Sequence, residues 1–156
     1  GAEQFNSPSD LAISPDGSVL FVADMFNHQI RRVEVATGAV TTVAGSGTAG
    51  TAYGVGGAAQ FYHPSGVAIS PDGSALFVAD FSNHKIRRVE VATGAVTTLA
   101  GSGEEGDADG AGGAAQFHCP YQRTREYTFS QLRDELSRSD SLKVQRKRVD
   151  GRGDDW

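Results

Sequence analysis

The stretch Leu11-Ala-Ile-Ser-Pro-Asp-Gly-Ser-Val-Leu-Phe-Val-Ala-Asp24 returns 56 residues later as Val67-Ala-Ile-Ser-Pro-Asp-Gly-Ser-Ala-Leu-Phe-Val-Ala-Asp80. The match extends in both directions. Residues 2–57 align with 58–113 without a gap, and 41 of the 56 positions are identical. The signature Ala2-Glu-Gln-Phe5 comes back as Ala58-Ala-Gln-Phe61 and again as Ala114-Ala-Gln-Phe117. The third copy runs to Pro120, the counterpart of Pro8 and Pro64, and the pattern stops at Gln122, where the second copy has Gly66. A fixed period of this length means one supersecondary unit used repeatedly, each unit burying its apolar face on the next. The chain therefore divides into units at 1–57 and 58–113, the start of a third at 114–121, and an unrelated charged tail at 122–156.

Within a unit the residues read as four short strands. Residues 11–14 are a brief apolar stretch, and Pro15-Asp16-Gly17 is a turn in which proline presets φ and glycine accepts a positive φ. Residues 19–24 are nearly all apolar, as in a strand covered on both faces. A polar loop at 24–28 leads to a third strand at 30–35, where Ile30, Val33 and Val35 are apolar and Arg31 and Arg32 are expected to face outward. Thr37-Gly38 makes the next turn. Residues 39–44 are β-branched and half polar, which suits an outer strand. No segment of the repeat keeps a helical period. The expected fold is all-β: a β-propeller fragment of two four-stranded antiparallel blades. An open solenoid or a small sandwich is the bland alternative, and a sandwich has no need of identical units.

Composition narrows the function. The chain has 156 residues, 14 Lys and Arg against 19 Asp and Glu, and a net charge of -5, which gives no strong nucleic-acid signal. The single cysteine, Cys119, excludes an internal disulfide framework and a four-cysteine zinc site. No apolar run reaches the roughly 20 residues that span a bilayer. Glycine is over-represented, at 20 residues, as turn-rich repeats require. The charge is uneven: residues 1–120 carry a net -7 and residues 121–156 a net +2. Such a shift marks a boundary.

The segment Pro64-Ser-Gly-Val-Ala-Ile-Ser-Pro-Asp-Gly73, followed by Leu76-Phe-Val-Ala-Asp80 and Asn83-His84-Lys85-Ile86-Arg87-Arg88-Val89, resembles the NHL repeat, named for an Asn-His-Leu motif. The third motif position is Gln29 in the first copy and Lys85 in the second. The resemblance covers about 120 residues and implies one propeller blade per repeat, usually six to a ring. It implies an interaction platform for a protein partner or other ligand, and the leading expectation is a non-catalytic segment with no cofactor. The alternative it leaves open is a fragment of a six-bladed hydrolase of the lactonase-like (gluconolactonase-like) type, with its metal site in further blades. Such enzymes place carboxylates on the strand facing the channel. Strand one, at 11–14 and 67–70, offers only serine.

In a meander, alternate connections share one edge of the sheet. The loops at 24–28 and 80–84 therefore share an edge with the long connections at 45–65 and 101–116. Connections of about 20 residues are uncommon unless functional or disordered, so this edge is the expected binding face. Its candidate residues are Asp24, Asn27, His28, Asp80, Asn83, His84 and Lys85. The aspartates also have a structural reading as acceptors for loop N–H groups, and the histidines one as fixing the turn with Asn27 or Asn83. Arg31-Arg32 and Arg87-Arg88 are expected to pair with Glu34 and Glu90 on a solvated strand. Asp107-Ala-Asp109-Gly110 begins like a calcium loop, but position 12 is His118 rather than Glu. Gly101-Ser-Gly103 lacks the Gly-Lys-Ser/Thr and the following helix of a phosphate loop. No metal site is expected.

Two blades cannot close a ring, so the chain reads as a piece of a longer protein or as a homo-oligomer in which three chains supply six blades. The tail from 122 carries none of the repeat's glycines, and a frame change or retained intron would produce such a break. Thr128 and Gln131 have capping-box spacing, and Phe129, Leu132 and Leu136 fall at helical spacing, which predicts a short helix near 129–138. The basic run Arg146-Lys147-Arg148 and the tripeptide Arg152-Gly153-Asp154 are read as solvated.

Overall fold

In the computed structural model, residues 4–121 are described. The tail features at 128–136, 146–148 and 152–154 lie outside them. The first unit forms β1 (Pro8–Ile13), β2 (Val19–Asp24), β3 (Gln29–Glu34) and β4 (Val40–Ala44), antiparallel in the order β1-β2-β3-β4. The second repeats this as β6 (Pro64–Ile69), β7 (Ala75–Asp80), β8 (Lys85–Glu90) and β9 (Ala95–Ala100). Its sheet gains a fifth member, β5 (Gly54–Val55), giving the order β5-β9-β8-β7-β6. The predicted four-strand meander is present in both units, and the register repeats. Val19 pairs with Glu34 and Ala23 with Ile30 in one blade, Ala75 with Glu90 and Ala79 with Ile86 in the other. Each loop at 24–28 and 80–84 contains one 3-10 turn, Met25–Asn27 and Phe81–Asn83.

The core lies between the two sheets. Blade one contributes Phe21, Ala23, Ile30 and Ala44; blade two contributes Phe61, Val67, Leu76, Val78, Val89 and Val96. Each buried Phe, Ile, Leu or Val side chain there stabilises by about 1.5–3 kcal/mol. The first strands, β1 and β6, meet directly across this joint. β2 and β7 are the most enclosed strands, as their unbroken apolar sequence requires.

The long connection differs from expectation. It is not a free loop on one edge. Residues 45–63 run down the outside of blade two, pair through β5 with β9, and reach the far turn, where the Gly56 N–H donates to the Gly94 carbonyl at 3.0 Å. They then return, with Gly50 donating to Phe61 and Gln60 to Ala52, and deliver Ala59 and Phe61 into the core. Twenty residues are needed because the chain must cross the whole rim twice. The segment 101–117 repeats the path, with Gly101 donating to Gly112 and Ser102 to Ala115. Both connections leave the outer strand through a glycine at positive φ, Gly45 (+108°) and Gly101 (+107°). A Cβ there would stand 2.5 Å from the His28 carbonyl oxygen or 2.4 Å from that of His84.

Candidate functional site

The seven candidate residues all lie where β2 or β7 ends and the next strand begins. Asp24 and Asp80 are not surface groups; both are fully buried. One Asp24 oxygen accepts the Asn6 N–H at 2.7 Å. The other accepts Asn27 Nδ2 at 2.9 Å and Arg31 Nη1 at 3.3 Å. Asp80 repeats the set with the Tyr62 N–H at 2.8 Å, Asn83 Nδ2 at 2.8 Å and Arg87 Nη1 at 3.0 Å. Each carboxylate thus ties the lead-in of its own blade to its third strand. Burial pushes the Asp80 carboxyl above its ordinary range, against the pull of Asn83, the Tyr62 N–H and Arg87.

The expectation for the arginines divides. Arg32 and Arg88 pair with Glu34 and Glu90 at the surface, as expected. Arg31 and Arg87 instead turn inward and are buried against Asp24 and Asp80. The alternation of a strand demands this: neighbouring side chains point to opposite faces, so two consecutive arginines cannot both meet water. Arg87 also lies against the Tyr53 and Phe61 rings, 5.2 and 5.7 Å from their centroids, and Arg31 lies 5.7 Å from the Phe5 centroid. The signal was in the sequence. An aspartate at the end of strand two and an arginine seven residues on recur together in both copies.

Asn27 and Asn83 reach further. Beyond its own aspartate, Asn27 Nδ2 donates to the Gln4 carbonyl at 3.0 Å and Asn83 Nδ2 to the Gly50 carbonyl at 2.7 Å. Lys85 Nζ reaches Thr51 Oγ1 at 3.1 Å, and the matching Gln29 donates to the Gly45 carbonyl. The histidines do not fix their turns with Asn27 or Asn83. His28 Nδ1 accepts the N–H of His63 at 3.2 Å, and His84 Nδ1 accepts that of Cys119 at 3.1 Å. Each histidine spans 35 residues to hold the lead-in of the following unit. His28, His63, His84 and Cys119 all sit at positive φ, between 45° and 54°.

Strand one also departs from the reading of its residues. It begins at Pro8 rather than Leu11, which brings in the carboxylate of Asp10. Asp10 accepts the Val67 N–H of β6 at 2.9 Å and the Leu11 N–H at 2.9 Å. Burial raises its carboxyl above the usual range, partly offset by these two bonds. Ser9 Oγ donates across the same joint to the Pro64 carbonyl, as Ser65 Oγ does to Pro120. The second copy has Gly66 at the Asp10 position, so this carboxylate is not repeated. Among the described residues no three His, Cys, Asp or Glu side chains gather in a metal-binding group.

Aromatic rings line the joint. Phe26 meets His63 edge-on at 5.3 Å, and His63 lies 4.6 Å from Tyr62 and 5.0 Å from His28. Phe81 and Tyr121 meet edge-on at 5.9 Å one joint on. Phe26, Tyr62 and Tyr121 are well exposed.

The clamp residues Asp80, Asn83, His84 and Arg87 fall inside a segment that matches the NHL repeat model, residues 61–88. Residues 61–88 are an NHL repeat. The NHL-repeat reading accords with the relatives. The chain is 37% identical over 124 residues to the Arabidopsis thaliana protein SUPPRESSOR OF QUENCHING 1, chloroplastic, covering 74% of this chain and 12% of that protein. It is 38% identical over 83 residues to human NHL repeat-containing protein 2 and 37% to the bovine protein, in each case 53% of this chain and 11% of the relative. The chain therefore spans about an eighth of the length of the curated relatives it matches. Among solved structures, an auxiliary nutrient binding protein from Bacteroides thetaiotaomicron superposes with a TM-score of 0.60 at 27% identity, over 70% of this chain and 30% of that one. A protein of unknown function from the same organism gives a TM-score of 0.67 at 22% identity, over 78% of this chain and 31% of that one. The fold is that of two β-propeller blades carrying NHL repeat sequence. Among the described residues no helix is long and apolar enough to cross a membrane.

Proposed function

We propose that the chain is a non-catalytic propeller segment that binds a protein partner across the edge bearing the Asn-His turns. The observation that carries this reading is the division of labour at that edge. Asp24, Asn27, His28 and their counterparts are engaged in holding blade to lead-in, while Phe26, Tyr62 and Tyr121 stand exposed beside them. Exposed aromatic side chains at a rigid joint suit the anchoring contacts of a protein interface, where such residues supply most of the binding energy. The NHL repeat supports the same reading, since the resemblance implies interaction platforms.

A photo-crosslinking residue placed at Phe26 or Tyr62 tests it, with the same residue at Asp16 or Asp72 on the opposite edge as control. A discrete protein adduct from the first pair alone is the expected result. Equal labelling from both edges overturns the assignment of the face. Hydrolysis of lactones that depends on an added divalent cation would favour the lactonase-like alternative instead.

A further inference from the structure

We infer that His28 is an acid-released latch between the two blades: as a neutral imidazole it holds the lead-in of blade two, and on taking up a proton it lets go. The inference does not depend on the proposed function. It rests first on the direction of one hydrogen bond. The His63 backbone N–H can only donate, so the Nδ1 atom 3.2 Å away must present its lone pair. The proton of the neutral ring is then on Nε2. An imidazolium has a proton on both nitrogens and no lone pair to offer. A solvent proton added at Nδ1 therefore replaces an acceptor with a donor, facing the His63 N–H.

Among the described residues, the groups around the ring are already engaged. The His63 ring lies 5.0 Å from that of His28, on the lead-in to β6, with its Nδ1 within 3.0 Å of Ser82 Oγ on the following turn. The Tyr62 ring stands 5.8 Å away on the same lead-in. On the strand that precedes His28, the Asp24 carboxylate is already held by the Asn6 N–H, Asn27 and Arg31. Beneath Tyr62, Asp80 is held by the Tyr62 N–H, Asn83 and Arg87. His28 and His63 both sit at positive φ, 53° and 54°, and the bond joins these two left-handed positions across the joint.

Burial, with the nearby His63, holds the His28 ring below its ordinary pKa of 6.5. A depressed folded-state value means that the unfolded chain takes up the proton first. The latch is thus fully effective above 6.5 and is lost as pH falls from there through the lowered folded value. The equivalent His84 bond serves as an internal comparison, because position 119 holds cysteine where position 63 holds a second imidazole.

The test uses the full chain labelled with 15N. On acidification the His63 amide signal is expected to shift with the midpoint of the His28 ring, and the urea midpoint is expected to fall over the same pH range. In His28→Asn, the amide oxygen stands where Nδ1 stood, asparagine tolerates the positive φ, and neither proton uptake nor release is available. That variant is expected to lose the part of the His63 amide shift that follows the His28 ring, and much of the acid sensitivity. The inference is overturned if the His63 amide does not follow the His28 titration, or if His28→Asn loses as much stability on acidification as the parent. Should the variant not fold, the titration of the unsubstituted chain decides alone.

Discussion

The two blades have nearly the same sequence and very different surroundings. Leu11 in β1 is 59% exposed, and its counterpart Val67 in β6 is 3% exposed. Phe5 is 38% exposed and Phe61 is completely buried. The side chains that cover blade two's face belong to blade one, and the connection 45–63 adds β5, Tyr53 and two backbone carbonyls around Arg87. Both blades share one core, but among the described residues the face that blade one covers on blade two is open on blade one itself. Identical local structure at the two sites, with unequal burial, separates what a repeat forms alone from what it forms only when stacked.

Three paired substitutions and one paired titration sharpen the comparison. The largest effect is expected at the buried ion pair. Arg87→Ala leaves Asp80 unpaired in the interior and should cost about 3–5 kcal/mol. Arg31→Ala should cost less, because the Phe5 ring beside it is partly open to water where the Phe61 ring beside Arg87 is not. Urea denaturation of both variants measures the difference, and equal losses would mean that stacking adds nothing to the clamp.

Next come the paired phenylalanines. Phe61→Ala empties a filled core position, for about 3–5 kcal/mol, whereas Phe5→Ala should fall within about 1 kcal/mol, as a partly exposed site does. Thermal unfolding reads both, and a reversed order would refute the blade-to-blade core. A smaller contrast separates two turn glycines of the same conformation, Gly38 (φ +70°) and Gly94 (φ +72°). A Cβ on Gly38 meets nothing within 4 Å, so Gly38→Ala should cost only the left-handed strain, about 1–2 kcal/mol. A Cβ on Gly94 would stand 2.5 Å from the Val43 carbonyl oxygen and 3.1 Å from the Gly56 nitrogen. Gly94→Ala should therefore cost more, and amide exchange at Gly56 should rise in that variant alone.

The smallest difference should come from the Pro-Asp-Gly turns at the far edge, where both aspartates are exposed and held by the same serines of their own turns. Hydrogen bonds from the Ser14 hydroxyl, and then from Ser18, hold the Asp16 carboxyl down at about 2. Ser70 and Ser74 do the same for Asp72, also to about 2. A depressed carboxyl contributes stability above its ordinary value of 3.8 and loses it as pH falls through the folded value. Both turns should titrate together in a carbon-detected NMR series; a separation of one unit or more would show that stacking reaches even the far turns.

The aspartates and histidines of the candidate site make contacts that the sequence reading did not foresee. Asp24, Asn27, His28 and their counterparts stand out because they recur with fixed spacing, and recurrence in a repeat marks whatever each unit needs. The reading that put Asp24 and Asp80 on a binding loop missed Arg31 and Arg87, which were assigned to the surface with their neighbours. Strand alternation already required one arginine of each pair to face inward. The histidines could not be placed from sequence at all, because their partners His63 and Cys119 lie 35 residues on, across a joint that exists only in three dimensions. The aromatic cluster of Phe26, Tyr62 and His63 was invisible for the same reason.

The sequence by itself determined the local parts. Alternating and β-branched stretches formed the strands, Pro-Asp-Gly and Thr-Gly closed the turns, and a period of 56 set the blade. These depend on contacts between near neighbours, which repeat whenever the residues repeat. Only the tertiary structure decided which of two like residues is buried, which arginine is paired, and why the connection is long. Those depend on the blade alongside, and among the described residues the two copies do not have the same one.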